Sequence, residues 1–175
     1  MRSAADQRWK GADDMRSRVK VNLVKLGLVA LGTLATVTAV HAQEAGGNEA
    51  QKAVETRQAV FKVLNYNSEL FFQMMKNKAP FDANVVQKAA GRIETLAPMI
   101  SDTFAADTRK AGVKTRAREG IWTNMADYKA KSDDLAKAAA ALTAAARTGD
   151  KGATMKAAGA VGKACSSCHD SYRDS

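Results

Sequence analysis

Two prolines in 175 residues, Pro80 and Pro98, leave this chain few places where a helix must stop. Strand-like alternation of useful length is absent, and alanine accumulates through Ala136–Ala146. The remaining punctuation divides the carboxyl-terminal three quarters into four helical segments. The first runs over 48–76, with Val54, Arg57, Phe61, Leu64, Phe71 and Met75 recurring at three- and four-residue spacing. Lys78-Ala79-Pro80-Phe81 closes it, because proline cannot continue the hydrogen-bond ladder. Asp82 then stands where an N-cap belongs, opening a second segment over 83–104 that Pro98 is placed to kink. A polar connection over 105–120 follows, long enough to cover something. The third segment spans 121–147 and ends at Thr148-Gly149-Asp150. The fourth spans 151–172 and carries an unusually small face of Ala157, Ala158, Gly159, Ala160, Gly162 and Ala164, which lets a helix or a flat ring approach closely. The expected fold is all-α, an antiparallel four-helix bundle, an architecture that holds cofactors between facing helices.

The last segment ends in Cys165-Ser166-Ser167-Cys168-His169, and these are the only two cysteines of the chain. Cys-x-x-Cys-His is the pattern that attaches a haem covalently: both thiols add to porphyrin vinyl groups, and the adjacent histidine faces the iron. A tetrahedral zinc site needs about four ligands, and beyond these three residues only carboxylates and the remote His41 remain. A thioredoxin-like dithiol belongs at the start of a βαβ unit, whereas this motif closes a helical chain. A simple disulfide with an incidental histidine is the remaining alternative. One covalent haem c through Cys165 and Cys168, with His169 on the metal, is the reading that agrees with the helical pattern.

The amino-terminal region reads as an export signal. An apolar run over 26–40 follows Arg16, Arg18, Lys20 and Lys25 and leads to Val40-His41-Ala42, a small-residue cleavage pattern. The run is shorter than the ~20 residues a membrane span needs, so a stable membrane anchor is not expected. Asp6, Trp9, Asp13 and Asp14 fit a signal poorly, which makes Met15 the expected true start and residues 1–14 upstream of it. Cleavage after Ala42 divides the chain into a leader, 1–42, and a single domain, 43–175, in the periplasm. It also removes His41, leaving His169 as the only histidine. From Gln43 onward twenty Lys and Arg face fifteen Asp and Glu, a net of +5 in place of the +9 of the whole chain. Basic residues interspersed with acidic ones at that net charge do not call for nucleic acid.

Arg57-Gln58 followed by Phe61, Ala79-Pro80-Phe81-Asp82, Ile121-Trp122 and the run CSSCHDSYR from Cys165 to Arg173 together resemble the cytochromes c prime, class II c-type cytochromes. The resemblance covers essentially all of 43–175. Mitochondrial-type class I cytochromes differ, with the attachment motif near the amino terminus and a ligating methionine downstream. The resemblance implies thioethers at Cys165 and Cys168, His169 as proximal ligand, and Phe61 over the distal face. Phenylalanine has no lone pair for iron, so it implies five-coordinate, high-spin iron. Low-spin members use a first-helix methionine; here Met74 and Met75 lie more than about 20 Å along the helix from Arg57. Those methionines pack either at the end of the bundle or at a dimer surface.

Arg57 and Phe61, four residues apart, share a helix face. Arg57 either meets a haem propionate, as the family pattern implies, or lies at the surface; Gln58 is assigned beside it. Arg173, one turn beyond His169, either adjusts the imidazole and the proximal face or complements the helix dipole. Trp122 reads as core. Such a site binds small gases, nitric oxide and carbon monoxide, and is redox-active; with no distal histidine to move protons it is not expected to be an enzyme. The alternative is an electron-transfer cytochrome with a periplasmic donor or acceptor. The family also implies a homodimer through the first two helices, for which Phe71, Phe72, Met74 and Met75 are either the patch or part of the core.

Overall fold

Helix α1 (Val37–Met75) stops where Asn77 takes a left-handed conformation (φ 54°) and the Lys78 amide bonds back to Gln73 O at 2.8 Å. The computed structural model describes residues 37–175, with side chains from 47 onward. The expected leader as far as residue 36, with its Met15 start, lies outside the described residues. Helix α1 begins ahead of the expected residue 48 and passes through Ala42-Gln43, the expected cleavage point.

Asp82 caps α2 (Ala83–Asp102) as its sequence position predicts, Oδ1 accepting from the amides of Asn84 at 2.9 Å and Val85 at 3.1 Å. Helix α2 continues past Pro98, whose exposed position leaves the missing donor opposite a carbonyl on the solvent side. The third expected segment is two pieces. Asn124, at φ −136° and ψ 53°, interrupts it, giving α3 (Gly120–Thr123) and α4 (Met125–Arg147). The interruption lets the Trp122 indole turn back to donate to Phe104 O at 3.1 Å, a tertiary bond that periodicity cannot register. Gly149 at φ +74° makes the next turn, and Asp150 caps α5 (Lys151–Tyr172) through the Ala153 amide at 2.8 Å.

Residues 37–175 form one compact unit in which α2 packs most extensively on α4, α4 on α5 and α1 on α2. The end of α2 meets α1 at Arg57, well before the end of α1, and meets the start of α4, while Tyr128 at the start of α4 meets Tyr172 at the end of α5, so successive long helices run antiparallel. This is the expected all-α bundle, with the short α3 added. Its core is built from Val86, Ala89, Ala90, Ile93 and Ala97 of α2 against Tyr128, Leu135, Ala139 and Leu142 of α4. Helices α1 and α5 touch much less. They meet where the small face of α5 receives the Phe72 ring: a Cβ built at Gly162 would stand 3.5 Å from two of its carbons. Phe71 and Met74 are buried in the core, Phe72 is half-buried on α5, and only Met75 is exposed, so the core alternative holds for most of the expected dimer patch. Among the described residues no helix is long and apolar enough to cross a membrane.

Candidate haem site

Helices α1 and α5 separate around a cavity of about 660 Å³, within the range of cofactor sites. Cys165, Cys168, His169, Tyr172 and Arg173 come to it from α5 and its end, spaced three to four residues apart so that one helix face presents them all. Arg57, Gln58 and Phe61 come from α1. Every residue assigned to the site from sequence therefore lines one cavity. Val54, Leu64, Phe72, Ile93, Ile100 and Leu135 supply apolar walls. Phe61 is 38% exposed, held by the cavity rim and not by the core.

Both thiols are free and half-buried, and burial pushes both above the ordinary cysteine range. Lys131 of α4 works against that at Cys168; its Nζ donates to Ser167 Oγ at 3.1 Å, which holds the ammonium beside the motif. Burial first, then the Arg173 cation, lowers the His169 pKa and favours the neutral imidazole a metal requires. Arg173 Nη1 lies 3.4 Å from His169 Nε2. Among the described residues no cluster of three or more His, Cys, Asp and Glu is placed to hold a metal ion alone.

Arg57 is 3% exposed, so the surface alternative fails. Its guanidinium donates from Nε to Thr103 O at 2.7 Å, from Nη1 to Thr108 Oγ1 at 2.7 Å and from Nη2 to Ala106 O at 2.5 Å. It also lies 4.4 Å from the Phe104 ring centroid and 5.4 Å from that of Trp122. Arg57 thus lines the cavity while fastening the start of the connection between α2 and α3. The end of that connection brings Thr115, Arg116 and Ala117 to the cavity rim, as expected for a covering segment. It is pinned to the carboxyl terminus: Arg118 N donates to Tyr172 O at 3.1 Å, Asp174 N to Arg116 O at 2.9 Å, and Arg118 Nε to Asp174 Oδ1 at 2.9 Å.

Five cations, Arg57, Lys62, Arg116, Lys131 and Arg173, line the cavity with no carboxylate among the lining residues. An apolar cavity with paired thiols, a neutral histidine and a cationic rim fits a haem, whose ring is apolar and whose two propionates are anionic. Arg116, Lys131, Tyr128 and Tyr172 escaped the sequence reading. Tyr172 carried a signal, one turn beyond Cys168 on the motif's own face; Arg116 carried none, since a tertiary clamp places it.

A helical bundle that opens such a cavity over Cys-x-x-Cys-His defines the class of bundle-type c-type cytochromes. Comparison with known proteins agrees. The family model described as cytochrome C' matches residues 52–173. The cytochrome c' of Rubrivivax gelatinosus is 34% identical over 122 residues, 70% of this chain and 94% of the relative. The solved structure of cytochrome c prime from Shewanella frigidimarina superposes with a TM-score of 0.67 at 34% identity, covering 72% of this chain and 97% of that one. A nitric oxide complex of a variant cytochrome c prime from Alcaligenes xylosoxidans gives 0.62 at 28% identity, covering 72% and 97%. The chain belongs to the cytochrome c prime family of c-type haem proteins.

Proposed function

We propose that this protein is a periplasmic binder of small gases, nitric oxide and carbon monoxide, on a five-coordinate haem c, and not an enzyme. Cys165 and Cys168 carry the thioethers and His169 the iron. When bound, the haem would supply an iron able to take a small gas as ligand and a reversible redox couple. The observation that carries the reading is the lining itself: it contains Phe61 on the α1 wall, no methionine, and no histidine except His169. Met74 is buried elsewhere and Met75 faces solvent, so neither is placed to close the sixth position.

The protein's own residues shape what enters. Phe61 gives the α1 wall an apolar surface that excludes water and offers a bound gas no hydrogen bond, which disfavours dioxygen relative to less polar ligands. Gln58 and the cationic rim hold the propionate edge, and Arg173 biases the His169 imidazole. The nitric oxide complex of the Alcaligenes relative supports the choice of ligand. Exposed Val63 (46%) and Tyr66 (64%) on α1 support a homodimer through that helix, which sedimentation would register as twice the protomer mass.

Optical spectra of the ferric, ferrous and carbon monoxide forms test the site directly. A high-spin ferrous spectrum that converts on carbon monoxide addition is expected. Phe61→Ala should raise carbon monoxide affinity by about tenfold, equivalent to ~1.4 kcal/mol of steric gating. A low-spin ferrous spectrum, or fast reduction by a periplasmic donor without nitric oxide binding, would move the assignment to electron transfer.

A further inference from the structure

Beyond gas binding, we propose that Tyr172 and Asp127 form a proton-coupled one-electron donor to the haem cavity, able to reduce that site after it meets peroxide. The proposal rests on the covalent haem assigned above. Tyr172 is buried, lines the cavity, and stands one turn past Cys168 on the same helix. Its hydroxyl donates to Asp127 Oδ2 at 2.6 Å, and Asp127 is exposed, so a proton passed to it reaches solvent directly. Burial and the Asp127 carboxylate push the phenol pKa up to about 12, so the phenol holds its proton until an electron leaves. A phenol bonded to a proton acceptor can shed both together and avoid a charged radical in an apolar wall.

Tyr128 packs edge-on against Tyr172 with ring centroids 5.1 Å apart and also lines the cavity. Phe104 lies 5.1 Å from Tyr128, and Trp122 lies 5.6 Å from Phe104. The aromatic row reaches a half-buried indole, but its outer part is unsuited to hold positive charge. The Arg57 guanidinium covers both Phe104 and Trp122, and Arg109 stands 5.8 Å from the Trp122 ring. These cations oppose an indole cation radical, and the electron vacancy rests on Tyr172, the tyrosine whose phenol has a carboxylate to take its proton.

Hydrogen peroxide is the oxidant, and its reduction to two waters takes two electrons and two protons. One electron comes from the haem site, the other from Tyr172, and both protons from solvent. As Tyr172 gives its electron, its phenolic proton moves to Asp127, leaving a neutral tyrosyl radical beside a neutral carboxyl. Two one-electron equivalents from a reductant of the ascorbate class restore the molecule: one returns to the haem site and one to Tyr172, whose phenol is reprotonated from solvent through Asp127.

Freeze-quench electron paramagnetic resonance of the haem-loaded chain mixed with hydrogen peroxide tests this. The wild type should give a tyrosyl signal. Tyr172→Phe should lose it, and Asp127→Asn, which keeps the ring and a hydrogen-bond acceptor but cannot take the proton, should lose it as well. Trp122→Phe should leave it in place. An unchanged signal in Tyr172→Phe, or haem with no tyrosyl signal in the wild type, overturns the proposal while the haem assignment stands. A purified chain whose optical spectrum lacks covalent haem overturns both.

Discussion

Arg57 shows how one side chain can serve a cavity and the chain segment over it together. Its three hydrogen bonds to Thr103, Ala106 and Thr108 spend all three guanidinium nitrogens on the connection following α2. Burial lowers its pKa, with nearby Tyr128 and Asp107 working in the opposite sense, yet a guanidinium stays charged at any ordinary pH. Arg57→Ala leaves the Thr108 hydroxyl and the Thr103 carbonyl without their donor, the Ala106 carbonyl keeping only Trp122 Nε1, and should cost about 2–5 kcal/mol in urea unfolding. Arg57→Lys should recover only part of that, because an ammonium cannot reproduce the planar fork. Tyr172 offers a second residue-level measurement. Burial first, then the hydrogen bond to Asp127, raises its folded-state pKa from 10.0 to about 12, so the stability carried by the protonated phenol is fully present below pH 10 and is lost as pH climbs through 12. Ultraviolet titration of tyrosinate should show one group with a midpoint near 12, and Asp127→Asn should bring it back toward the ordinary value.

At the scale of elements, α5 combines two faces that local sequence describes well. Its small face accepts α1 at Phe72, and its motif face opens on the cavity. A methyl group at Gly162 would make ordinary contact with the Phe72 ring, so Gly162→Ala should leave packing intact and stabilise α5 by about 0.5–1 kcal/mol through helix propensity. Gly162→Leu, in contrast, must push Phe72 aside and should destabilise by about 1–3 kcal/mol. Thermal unfolding of the pair reads both signs. Caps and turns at Asp82, Gly149 and Asp150 were legible because each acts within four residues of itself. The break at Asn124 was not, since it follows from Trp122 reaching Phe104, eighteen residues back. The same holds within the site. Arg57, Gln58 and Phe61 followed from helical spacing and a family pattern, and Cys165, Cys168 and His169 from a motif with its own chemistry. Arg116 reaches the rim only because residues 116–118 pair with residues 172–174, a contact between segments more than fifty residues apart.

The molecule as a whole is a three-sided packing problem with the fourth side left to the cofactor. Helix α2 is covered by α1 and α4, and α5 by α4, but α1 and α5 part around about 660 Å³ of largely apolar wall. With haem in place that wall is removed from water; without it, Val54, Leu64, Ile93 and Leu135 border a space that must collapse or hydrate. The connection bearing Arg116 and Arg118 is tied to the carboxyl end of α5, so loosening α5 also loosens the segment covering the rim. Most of the α2–α4 core needs none of these contacts, since Val86, Ala89, Ala90 and Ala97 are buried in it away from the cavity lining. The chain produced without haem should therefore keep much of its helical far-ultraviolet signal while losing near-ultraviolet dichroism and binding a hydrophobic dye. Its thermal midpoint should fall by about 10 °C or more, the shift expected when a domain of this size loses roughly 3 kcal/mol. Equal midpoints and equally sharp transitions for the haem-free and haem-loaded chains would mean that α1 and α5 close the bundle by themselves, and that the cavity is incidental to its stability.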